Sequence, residues 1–169
     1  MTQKQADDTM QAAEKFGNIG TTVGAAVAPV FTAFVSPFLW GLVVWLVGTK
    51  VLRGAFPYMK AVEVTGLSNM IAVLGSIVTT LLILLMGSVF ASPSLVLLVK
   101  EFDPQNTLHS VLAAMNIMTF WALAVKAIGL ARLSGASFGK AASWVFGIWV
   151  AWTGLLIVVS AGARIAYGG

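Results

Sequence analysis

The stretch VTGLSNMIAVLGSIVTTLLILLMGSVFASPSLVLLV, Val64–Val99, runs from Glu63 to Lys100 without one ionisable side chain. Crossing about 30 Å of hydrocarbon takes roughly 20 apolar residues, so this run is long enough for a membrane span and too long for a single upright one. Ser92-Pro93-Ser94 supplies the break, because proline disfavours a helical conformation in the residue before it. The run therefore reads as a span over about 70–90, followed by a short interfacial turn, Leu95 to Val99, that leads into an acidic stretch holding Glu101 and Asp103.

The rest of the chain has the same character. Hydrophobic residues make up 59% and charged residues 9%, against about 25% charged in soluble domains. The charge-free run Gly20 to Gly48 gives a first span over about 24–47, with Pro29 and Pro37 as bends packed against neighbours. A third span is expected over 108–128 and a fourth over 141–161. Residues 1–18 form a polar, weakly amphipathic segment. They lack the positive region and apolar stretch of a signal peptide and are expected to remain in the mature protein. The fold class that follows is an all-α integral membrane protein, a four-helix transmembrane bundle in one domain, 19–169.

The net charge of +4 is a topology signal rather than a nucleic-acid footprint. Lys50, Arg53, Lys60, Lys126, Arg132 and Lys140 fall in or beside two short connections, and such loops gather on the cytoplasmic side. Loops 49–63 and 129–140 are thus expected in the cytoplasm and both termini outside. Sliding the sequence by about 81 residues lays the first two spans over the last two, with roughly a quarter of the overlaid positions identical. Trp40 meets Trp121, Gly48 meets Gly129, Gly54 and Ala55 meet Gly135 and Ala136, and Ala61 meets Ala142. Both halves would be helical hairpins of the same direction, that is, parallel repeats.

Reactive chemistry finds little footing. There is no cysteine, no phosphate-binding glycine loop and no nucleophile elbow. His109 has no second ligand at helical spacing, so no catalytic, cofactor or metal site is expected. Lys126, read as standing near the cytoplasmic end of its span, serves as an anchor whose stem snorkels to the headgroups, and no ionisable group is expected at mid-depth. Asn116, about nine residues into its helix, marks a polar path through the bundle if there is one, with Asn69, Ser76, Thr79 and Thr80 as companions; interhelical hydrogen bonds account for them otherwise. Two stripes of small residues, Ala72, Ser76 and Thr80, and Ser143, Gly147 and Ala151, are the expected helix-packing faces.

Gly54-Ala55-Phe56-Pro57-Tyr58-Met59-Lys60-Ala61, Asp103-Pro104 ahead of Leu108-His109, Trp121 to Gly129, and Gly135-Ala136-Ser137-Phe138-Gly139-Lys140-Ala141 resemble the bacterial branch of the Yip membrane-protein family. The resemblance covers most of the chain from about Pro29. It implies a helical membrane domain, usually of five spans, here without the first, and a bacterial inner-membrane location. It carries over no catalytic or binding residue and no Rab-GTPase binding. The function expected is that of a non-enzymatic structural or interaction protein, an accessory subunit whose partners are the lipid bilayer and either further copies of itself or other membrane subunits. A small channel or transporter for an uncharged or weakly charged solute is the alternative.

Overall fold

The computed structural model describes residues 34–167 apart from 101 and 104, with side chains followed as far as Gly162. The polar segment 1–18, Pro29 and the start of the first expected span lie outside the described residues. Contacts divide the chain after Leu39. Of the first unit only Phe34 to Leu39 are described, and their backbone is helical through Pro37.

Among the described residues four helices are long and apolar enough to cross a membrane: α1, Phe34–Val51; α2, Tyr58–Met86; α4, Ile117–Ser134; and α5, Phe138–Tyr167, which qualifies over Phe138–Gly162. A short helix, α3, spans Thr107–Ala114. All described regular structure is helical. The last turn of α1 widens into a π-turn, Val47–Val51. Leu52 N–H reaches Val47 O at 2.9 Å, Gly54 N–H reaches Gly48 O at 2.8 Å, and Arg53 takes a left-handed φ of 59° to close the turn. Trp45 ties that turn to the next helix through Nε1–H to Phe56 O, 3.2 Å, and an edge contact with Tyr58.

Helix α2 begins well before the expected 70–90 span because Pro57, extended at ψ 152°, opens it, and Lys60 and Glu63 form an i,i+3 ion pair of 2.8 Å on its first turns. Its 29 residues make about 43 Å of helix, so the charged turns stand clear of about 30 Å of hydrocarbon. It ends where Gly87 turns left-handed at φ 65°. After Ser92-Pro93-Ser94 the expected short turn is a 3-10 helix, Leu95–Leu98, started by the Ser94 hydroxyl accepting from Val96 N–H.

The third span departs from expectation. Residues 108–128 are not one helix. α3 stops at Ala114, and α4 starts at Ile117 with Asn116 as its cap, the side-chain oxygen accepting from Met118 N–H at 2.9 Å. Backbone bonds from Leu95 N–H to Met115 O and from Ile117 N–H to Pro93 O hold the break open. Asparagine favours the cap over the interior because its carbonyl satisfies a free helical N–H. The span is therefore 117–134, closed by Gly135 in the left-handed region.

The core lies at the end that carries the basic turns: Val44, Val47, Ala61, Leu123, Ala127, Leu130, Ala141 and Val145. Glycine and alanine let the backbones approach there. A methyl group on Gly129 would overlap Val64, and one on Gly48 would overlap Phe56. Gly54 lies against Ser134, so the two basic turns meet at one end of the bundle. Lys60 and Ala61 are the third and fourth residues of α2, Lys140 and Ala141 those of α5, and both alanines are fully buried. By position in their helices Ala61 corresponds to Ala141, not to the Ala142 that the 81-residue overlay pairs with it.

The expected packing faces are not the ones used within the chain. Ala72, Ser76, Thr80, Ser143, Gly147 and Ala151 are all exposed, and a methyl group on Gly147 would meet nothing within 4 Å. The neighbouring position Gly75 is the buried one, facing Met118. The distinction is angular: one residue along a helix is about 100° around it, enough to turn a stripe from a neighbour to lipid.

A polar cleft between the four spans

Moving the third span to 117–134 moves Lys126 with it. It lies near the middle of α4, about 12 Å from Ser134 and about 13.5 Å from Ile117. Gly129 packs on Val64 and Gly75 on Met118, which sets Lys126 level with Leu67, about one helical turn further in than Glu63. The residue is thus a cation within the span toward its basic end, with the side chain turned into the bundle, where it lines a cleft. Its ammonium lies 5.4 Å from the ring centroid of Trp40. A lysine at a helix centre costs about 2.5–3.5 kcal/mol on insertion scales, and a cation–π contact returns about 0.5–2 kcal/mol. The aromatic face offsets only part of the burden, and polar surroundings must supply the rest.

They do so in a cavity of about 340 Å³ to which all four spans contribute. Helix α2 lines it with Ser68, Asn69, Ala72, Gly75 and Thr79, and α4 with Asn116, Met118, Thr119, Ala122, Leu123 and Lys126. Trp40 of α1 and Trp149 of α5 complete the wall. Asn69, Asn116 and Thr79, all noted in the sequence, are brought together here; Ser76 and Thr80 point elsewhere and return their hydroxyls to their own helix, to Val73 O and Ser76 O. Thr119, Trp40 and Trp149 are additions that hydropathy gives no reason to select. Ser68 is wholly buried and donates to Thr65 O at 2.8 Å.

The cleft is blind toward the basic turns. Beneath Lys126 the space narrows to about 10 Å³ between Trp40, Val43, Val44, Val47, Leu123, Leu130, Val145 and Ile148. Hydrocarbon walls give a water no partners in so small a space. From Lys126 to Asn116 the cleft follows α4 for about 15 Å toward the other end of the bundle. A wider hollow beside the second basic turn, formed by Ile128, Ala131, Arg132, Gly135, Ala136 and Phe138, holds one charged group and no second polar side chain.

His109, on the first turn of α3, packs on the preceding loop rather than lining the cleft. Its Nδ1 accepts from Asp103 N–H at 3.0 Å and its ring stacks on Phe102, which leans on Phe90. Among the described residues no three His, Cys, Asp or Glu side chains cluster as a metal would require.

A multi-pass helical membrane protein with a polar cleft closed at one end is the class that these observations define. The family model for the Yip1 domain matches residues 5–161, and the chain belongs to that family. It is similar to the membrane protein YknW of Bacillus subtilis (strain 168), 26% identical over 161 residues. The match covers 94% of this chain and 64% of the relative, so the chain spans less than two thirds of that protein's length. No solved structure matches.

Proposed function

We propose that the chain is a non-enzymatic interaction protein, a structural or accessory subunit of a membrane assembly, that associates with copies of itself or with other membrane subunits. The α5 face of Ser143, Gly147 and Ala151 supports this: it is exposed, and the Ser143 hydroxyl is already paired with Lys140 O at 2.9 Å. A helix laid there meets small groups with no unmet hydrogen bond, and close backbone approach is what drives association within lipid. In mild detergent and in native-lipid discs the protein is expected to run larger than one chain. Gly147→Leu should reduce it to a monomer while its melting temperature as a monomer stays unchanged. A wild type that is monomeric in both settings would sink the reading.

The orientation proposed with it places the basic turns in the cytoplasm of a bacterial inner membrane and both ends outside, on the ground of the Lys/Arg bias. Labelling of Arg53→Cys in intact cells by an impermeant thiol reagent would reverse it. A second reading, a small channel or transporter for an uncharged or weakly charged solute, draws on the polar cleft. Because the cleft has a closed floor, conduction needs the core beneath Lys126 to move. Saturable flux into vesicles holding the purified protein, abolished by Asn116→Leu, would favour this reading over the first.

A further inference from the structure

We infer that the cleft is a binding site for a carboxylate anion, seated on Lys126 and bounded by the two tryptophans. The inference stands apart from both readings above, since a scaffold or a conduit could carry such a site. Three observations converge on it. The first is the cation itself, which lines a cleft between four apolar spans: intramembrane lysines pair with an opposite charge or line a water-filled path. Among the described residues no carboxylate lies within reach of Lys126; Glu63 is bound to Lys60 and Asp103 caps the backbone of Gln105 in the far loop.

The second observation is the set of donors around it. Asn69 and Thr119 have no hydrogen-bond partner among the described residues, and Asn116 spends its carbonyl on Met118 N–H, which leaves its two amide hydrogens for the cleft. Among the described residues no fully buried side-chain nitrogen or oxygen lacks a partner, so these donors open onto the cleft and are available to a guest there. An ammonium, two amide groups and a hydroxyl around one space favour an acceptor-rich, negatively charged guest. The third is shape. A volume of about 340 Å³ sits at the small end of ligand pockets, and Trp40, Trp149, Met118 and Leu123 offer apolar surface for the body of a monocarboxylate whose head reaches Lys126. Phosphate or sulfate would present a second charge to a site with one cation.

The chain has no cysteine, so a single Thr119→Cys substitution reports on the cleft alone. In detergent-solubilised protein, the anionic sulfonatoethyl methanethiosulfonate should modify this thiol at least about tenfold faster than the cationic trimethylammonioethyl reagent, each rate taken relative to a free thiol. Adding Lys126→Gln should bring the ratio to about one. Benzoate should protect the thiol where its neutral isostere benzamide does not, and Lys126→Arg should retain the protection. Protection by oleate but not by benzoate would keep the site and assign its carboxylate to the lipid phase. Equal protection by benzoate and benzamide, protection that survives Lys126→Gln, or no protection by benzoate or oleate would overturn the inference. A melting curve for each variant separates loss of the site from loss of the fold.

Discussion

Lys126→Leu is expected to melt higher than the wild type in the absence of added carboxylate, while losing the anion preference of the cleft. On unfolding within the membrane the lysine is free to reach the headgroups, so only the folded state carries its confinement, at most about 2.5–3.5 kcal/mol on the insertion scale; a leucine meets hydrocarbon in both states. Losing the contact with Trp40 gives back about 0.5–2 kcal/mol. The balance is a gain on the order of 1 kcal/mol, smaller where water in the cleft solvates the ammonium. Functional groups often sit at such a cost to stability. Lys60→Leu is the control: its pair with Glu63 is more than half exposed on both sides, where such pairs contribute about 0–1 kcal/mol. Thermal and denaturant unfolding in one detergent would measure both. A Lys126→Leu protein that melts well below the wild type would make Lys126 a structural group, and the binding site would lose its strongest argument.

What the sequence discloses and what it hides follow from different physics. The four spans are legible because hydropathy accumulates over some twenty residues and tolerates local irregularity. The start of a span is a matter of a few residues, and there one asparagine decides. Asn116 caps α4 and breaks the third helix there, so a stretch that reads as one span is a short helix followed by 117–134. The helix-capping preference of asparagine was available as a signal, but within an apolar run it competes with reading the same residue as an interhelical hydrogen-bonding group. The packing faces were hidden for an angular reason. Small residues at four-residue intervals define a stripe without saying which neighbour it meets, and in α2 the buried line runs through Ala61, Thr65, Ser68, Ile71 and Gly75 rather than Ala72, Ser76 and Thr80. Asn69, Thr79 and Asn116 were identifiable as polar groups in apolar helices. That they share a cavity with Lys126 and two tryptophans is a property of how four helices cross.

The floor of the cleft gives the second large effect. Leu130 is wholly buried in the core between α1, α2, α4 and α5, and it lines the narrow gap beneath Lys126. In a soluble protein Leu→Ala at such a site costs about 2–5 kcal/mol, part from transferring the side chain out of water and part from the cavity left behind. In a bilayer the first part nearly vanishes, because a leucine released by unfolding within the membrane meets hydrocarbon, and packing is what remains. Leu130→Ala should therefore destabilise by about 1–3 kcal/mol. Leu85→Ala should change little, since Leu85 is 82% exposed and already faces the surroundings of the bundle. The two substitutions remove the same atoms, so the difference between their unfolding free energies isolates packing from hydrophobicity. Leu130→Ala should also loosen the seal below Lys126, seen as faster exchange of buried amide hydrogens around Val44, Val47 and Val145 with no change at the α2 end near Leu85. Equal losses for the two alanines would show that the basic end is no better packed than the lipid-facing surface, and the cleft would then have no closed floor.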